Sequence, residues 1–148
     1  EIGRAQVFSR PRGVLGQKVG IIVCGGLVYN ALRAAKDLEK EGIGATVLNL
    51  ATIKPIDREA IIKLAQENEG IVTVEEHQIA GGMGSAVAEV LAGEYPAPME
   101  FVGVRDLFGQ SGTPAELIEH YGMGISHIKE AVRKILGGER KAVNNFHL

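Results

Sequence analysis

The sequence predicts a three-layer α/β/α domain built on a mostly parallel sheet. Apolar runs recur at residues 19–24 (VGIIVC), 45–50 (ATVLNL) and 71–75 (IVTVE), and they are continuous rather than alternating. Strands covered on both faces read this way. Between these runs the apolar residues fall at helical spacing, and glycine or proline marks each junction.

The elements follow in order. Residues 5–9 (AQVFS) offer an edge strand, and VGIIVC is the first central strand, ending at Gly25-Gly26. Val28, Ala31, Leu32, Ala35 and Leu38 then line one face of a helix. That helix stops at Gly42 or Gly44, glycine being favoured just beyond a helix end. ATVLNL is the next strand and leads into the loop TIKPID (52–57). Asp57 caps a second helix whose stripe is Ile61, Ile62 and Ala65, ended by Gly70. The strand over 71–75 is followed by a helix lined by Met83, Ala86, Val87, Val90 and Leu91. Pro96 and Pro98 break the chain before a strand over 100–104. Thr113-Pro114-Ala115-Glu116 has the capping-box form with proline at the first helical position, so a short helix carries Leu117, Ile118 and Tyr121 as far as Gly122. A last helix spans about 126–136, with Ile128, Ala131, Val132 and Ile135 inward. The polar tail over 137–148 is expected to be loosely held, leaving residues 1–136 as the domain.

Composition excludes several functions. The 148 residues carry a formal net charge of −2, which gives no electrostatic reason to bind nucleic acid or an anionic membrane. No apolar run approaches the ~20 residues that span a bilayer. One cysteine, Cys24, precludes an internal disulfide and points weakly to a reducing compartment, so a cytoplasmic setting is expected. The chain opens on Glu1-Ile2-Gly3 without methionine, which leads us to expect a processed or trimmed chain or a piece of a longer one.

Motifs for chemistry are sparse. There is no P-loop, and Gly25-Gly26 lacks the third glycine of a dinucleotide fingerprint. The four histidines show no metal-site spacing, and there is no nucleophile elbow. Cys24, at a strand end, reads as a small buried side chain with nothing nearby to lower its pKa. Gly81, Gly82 and Gly84 precede a helix. They either expose N–H groups to an anion or let the helix pack closely on its strand, and close packing is the preferred reading. Glu75, Glu76 and His77 form the one acid–base cluster at a strand's carboxyl end, where ligands of parallel sheets usually bind. They are either a functional cluster, or one glutamate capping locally beside a histidine in a solvated turn.

Three runs resemble the C-terminal domain of transketolases: residues 25–61, 70–91 and 103–122, within which TIKPID, VEEH-x-x-x-GG-x-G and SG-x-P-x-EL are the most specific. The resemblance covers the chain to about Leu136. It implies a five-stranded sheet of order 1-3-2-4-5 with strand 1 antiparallel, and a switch-point crevice where Gly25-Gly26 meets Glu75-Glu76-His77. The parent family uses thiamine diphosphate and Mg²⁺ to move a two-carbon ketol unit between sugar phosphates. The motif for the diphosphate and metal, and the domain supplying the activating glutamate, are absent from this sequence. The chain alone is therefore expected to hold no cofactor or metal, to catalyse nothing, and to act as a structural domain. Its expected partners are the other transketolase domains or an N-terminal subunit, within a homodimer of the pentose phosphate pathway. The same domain occurs in 1-deoxyxylulose-5-phosphate synthase and in the β subunit of 2-oxoacid dehydrogenases, where it helps dock the acyltransferase core; TIKPID and the VEEH histidine favour transketolase. Two further expectations stand beside this: a regulatory module holding a phosphate or nucleotide at Gly81, Gly82 and Gly84, and a His77 that reaches the sugar-phosphate channel of the assembled enzyme.

Overall fold

A computed structural model describes residues 2–13, 16–107 and 109–137. Five strands form one sheet of order β1-β3-β2-β4-β5: β1 (Gln6–Ser9), β2 (Gln17–Val23), β3 (Ile43–Asn49), β4 (Ile71–Gln78) and β5 (Met99–Val104). Only β1 runs antiparallel, with Gln6 opposite Asn49 and a bulge before Ser9. The others pair in parallel, Ile21 lying between Val47 and Val72. Among the described residues there are also a 3-10 turn at Gly25–Leu27 and five α-helices: α1 (Val28–Lys40), α2 (Arg58–Glu67), α3 (Met83–Glu94), α4 (Pro114–His120) and α5 (Ile125–Gly137).

Strand alternation divides the core into two halves. Val19, Ile21, Val23, Val72 and Val74 point to one face and pack beneath α1 and α5. Ile22, Leu48 and Ile71 point to the other and meet Ile61 and Leu64 of α2 and Val87 and Leu91 of α3. These side chains are all at most 4% exposed, and each contributes about 1.5–3 kcal/mol on burial. Gly20 lets α2 come close to β2: a Cβ there would lie 2.6 Å from Ile71 Cδ1 and 2.7 Å from Leu64 Cγ. At the other end of the sheet, Glu41 ties α1 to α5 by accepting from Lys129 Nζ and Arg133 Nη2, both at 2.8 Å.

The caps read from the sequence are present. Asp57 accepts from the Ala60 N–H at 3.2 Å, and its second oxygen accepts from Ala5 N–H at 2.9 Å, pinning the approach to β1. Thr113 and Glu116 form the capping box of α4. Gly42, at φ +81°, is the glycine that closes α1.

Other boundaries differ. The strand expected over 71–75 runs on to Gln78, because after an irregularity beyond Val74 the chain pairs again, Gln78 opposite Val104. Gly70 does not end α2. Asn68 does, its side-chain amide donating to the Leu64 carbonyl at 2.7 Å, while Gly70 makes room, since a Cβ there would lie 2.5 Å from Ile135 Cγ2. In α2 the inward stripe is Ile61, Leu64 and Ala65, with Ile62 only partly buried. The tail expected to be loosely held lies, from residue 138 on, outside the described residues. Among the described residues, no helix is long and apolar enough to cross a membrane.

Candidate functional site

The sheet's order places its switch point between β2 and β4. The chain leaves β2 toward α1 on one face and leaves β4 toward α3 on the other, so a crevice opens at their carboxyl ends. Its volume is about 450 Å³, and Cys24, Gly25, Gly26, Ile53, Glu75, Glu76, His77, Gly81, Gly82 and Met83 line it. Seven of the eight residues singled out from sequence therefore come together here. The eighth, Gly84, is buried under the start of α3 instead.

Period-two alternation along β4 separates the two glutamates. Glu75 shares the phase of Ile71 and Thr73 and faces α3. Its carboxylate accepts from the Met83 N–H at 3.1 Å and the Gly84 N–H at 2.5 Å, and the residue is 2% exposed. It thus fills the anion position that the N-terminus of α3 offers. Burial pushes its pKa up, against the lowering effect of these two N–H groups and of His77 nearby. The neighbouring glycines exist for this contact: a Cβ at Gly82 would collide with Glu75 Oε1 and the Gln78 carbonyl, and one at Gly84 would lie 2.7 Å from Thr73 Oγ1. Ser85 closes the turn, its hydroxyl accepting from the Gly81 N–H at 3.0 Å and donating to the Ile79 carbonyl at 2.7 Å.

Glu76 takes the opposite phase, toward the turn after β2. Its Oε2 would lie 3.0 Å from a Cβ built on Gly26. It is exposed and has no hydrogen bond or ion pair to another described residue. His77 is exposed at the crevice mouth and donates through Nδ1 to the Gln78 carbonyl at 3.0 Å. Cys24 is half-buried, and its pKa is raised, first by burial and then by the negative Glu75. Its thiol stays protonated and is a poor nucleophile.

The donor set does not suit a diphosphate with its metal. The helix start that follows Gly81-Gly82 already holds an internal carboxylate, the crevice lining includes two glutamates and no lysine or arginine, and among the described residues no three His, Cys, Asp or Glu side chains are grouped to hold a metal ion. A phosphate or nucleotide would meet the same negative charge. Sequence reasoning missed Cys24, Ile53 and Met83 as lining residues: Cys24 was read as a small buried side chain, and Ile53 came from a loop with no periodicity to reveal it. The capping role of Glu75 had a signal, the strand phase it shares with Ile71 and Thr73.

Comparison with known proteins agrees with this architecture. The family described as "Transketolase, C-terminal domain" matches residues 11–128. The 6-deoxy-6-sulfo-D-fructose transketolase subunit of Clostridium sp. (strain MSTE9) is 42% identical over 85% of this chain and 38% of its own length. The 1-deoxy-D-xylulose-5-phosphate synthase of Heliobacterium modesticaldum is 39% identical over 94% of this chain and 21% of its own. A solved structure described as a split-gene transketolase, an inactive β4 tetramer, superposes with a TM-score of 0.84 at 47% identity, covering 93% of this chain and 43% of that one. The chain thus spans well under half the length of these relatives. With sheet order, antiparallel edge strand and motifs all in agreement, the chain belongs to the transketolase C-terminal domain family.

Proposed function

We propose that the chain is the assembly domain of a thiamine diphosphate enzyme of the transketolase type, holding no cofactor itself and supporting the parts that do. The observation that carries this reading is the closure of α3 by Glu75, which fills with a protein carboxylate the position a phosphate-binding domain keeps open. The carboxyl edge is the docking surface. Tyr29, Ile53 and Leu107, in or beside loops at that edge, are 62%, 45% and 51% exposed, apolar side chains that a docked portion would cover. The parent enzyme moves a two-carbon ketol unit between sugar phosphates in the cytoplasm as a dimer, and its thiamine-binding portion is the partner of this chain. The "transketolase subunit" and "split-gene transketolase" descriptions of the relatives support a separable C-terminal portion.

The test is reconstitution. Ketol transfer by the thiamine-binding portion, assayed with a panel of sugar phosphates, should rise at least tenfold when the chain is added. Calorimetry of the chain alone with thiamine diphosphate and Mg²⁺ should give no binding heat. Micromolar cofactor affinity in the isolated chain, or no association between the two portions, overturns the proposal.

A further inference from the structure

The crevice's charge and wall chemistry identify what it accepts. Its lining carries two carboxylates and no lysine or arginine. Glu75 is committed to two N–H donors of α3, whereas Glu76 is exposed, lies over Gly26 and has no partner among the described residues. Next to it the walls are apolar, formed by Ile53, Met83 and the protonated Cys24, and Gly25 and Gly81 leave open space, since a Cβ on either would meet nothing within 4 Å. This combination, a crevice with apolar wall residues and an unpaired carboxylate, matches a side chain with an aliphatic stem and a cationic head.

We infer that the crevice receives a lysine or arginine side chain from the adjoining portion of the enzyme, its cation on Glu76 and its stem along Ile53 and Cys24. The inference rests on the reading that the carboxyl edge is an assembly surface. Covering that edge would strand Glu76 away from water, and a buried unpaired carboxylate is strongly unfavourable unless the covering surface brings a cation. A protein side chain, rather than a free amine, is the occupant because the surface that covers the edge is what removes water from Glu76 and so has to bring the cation with it. His77, the other titratable group at the mouth, is oriented by its bond to the Gln78 carbonyl and flanks the cation without replacing it.

The test titrates the ¹⁵N-labelled full chain with n-butylguanidinium and n-butylammonium, and in parallel with butyrate, n-butanol and inorganic phosphate. The cationic probes should shift the amides of Gly25, Gly26, Gly81, Gly82 and Met83, with butyrate and phosphate inert there. Glu76→Gln, verified as folded by its spectrum, should weaken the cations about three- to fivefold, the range for a partly solvated ion pair. Ile53→Ala should weaken cations and butanol alike. Equal shifts from butyrate or phosphate, cation affinity untouched by Glu76→Gln, or no shift from any probe overturns the inference. Hydrogen exchange on the assembled enzyme separates it from its premise. If the carboxyl-edge amides are not protected on assembly, the docking reading fails; if they are protected while Glu76→Lys assembles as tightly as wild type, the inference alone fails.

Discussion

Two glycine-bearing turns leave the carboxyl edge of the sheet side by side; each carries a glycine at positive φ, Gly25 in one and Gly81 in the other, but they differ in how the helix that follows is closed. After β4, Gly82 and Gly84 are needed for space, because Glu75 and Thr73 occupy the volume a side chain would take, and the helix that follows has its first N–H groups satisfied from inside the protein. After β2, Gly25 is needed for conformation. Its φ is +69° and nothing lies within 4 Å of a Cβ built on it, while the helix beyond starts without any side-chain cap. One half of the edge is closed and packed, the other open to solvent. In sequence the two turns look alike, which shows that a pair of glycines at a strand–helix junction does not by itself announce a ligand.

The contrast breaks hardest at Gly82. An added methyl has to displace both the buried Glu75 carboxylate and the Gln78 backbone carbonyl, so Gly82→Ala should destabilise the fold by about 3 kcal/mol, at the severe end of overpacking. Urea unfolding followed by circular dichroism measures this, and a loss near zero would show that the closed half can yield.

Glu75→Gln comes next. A glutamine offers one oxygen to two N–H donors, leaving one buried donor unsatisfied at a cost of about 2 kcal/mol. The pH dependence carries a sign. Because burial raises the folded pKa of Glu75 above the ordinary 4.5, the folded state holds this proton more tightly, and wild-type stability falls as pH rises from 4.5 through the raised value. The variant lacks that slope, so its deficit relative to wild type should be widest near pH 4 and narrow upward. Glu41, whose pKa is lowered by its bonds to Lys129 and Arg133, loses its contribution as pH falls below 4.5, but it titrates in both proteins and cancels in the difference. A deficit that widens with pH would mean that the N–H donors outweigh burial.

On the open side Gly25→Ala has room but the wrong backbone, and should cost about 1 kcal/mol through φ alone. Gly25→Asn, which tolerates that conformation better, should recover part of it in the same urea series.

Strands and helices were legible from the sequence because their signals are local: continuous apolar runs, 3.6-residue stripes, and capping residues such as Asp57 and Thr113. Sheet order was legible only through resemblance, since pairing across the sheet leaves no local mark. The site was half legible. The acid–base cluster and the glycines do meet at one crevice, but which glutamate faced inward required the phase of β4. The extension of that strand to Gln78 was hidden by residues 75–78, EEHQ, whose polarity reads as a turn and whose pairing with Val104 is set by a neighbour distant in sequence. Wall residues such as Ile53 come from the loop after β3 and meet the crevice through tertiary structure alone.

The smallest expected effect is the sharpest test of the contrast. Glu76 follows Glu75 directly, with the same side chain on the same strand, yet alternation puts it on the opposite face, exposed and without a partner among the described residues. Glu76→Gln removes no hydrogen bond, opens no cavity and unburdens no buried charge, so urea midpoints of variant and wild type should coincide from pH 4 to pH 8, beside a clear loss for Glu75→Gln. A substantial loss at Glu76 would place a cation on it within the isolated chain and fill the open half of the edge from inside. Equality would mean that its carboxylate has no task in folding, so that whatever it contributes is realised only when another surface covers it.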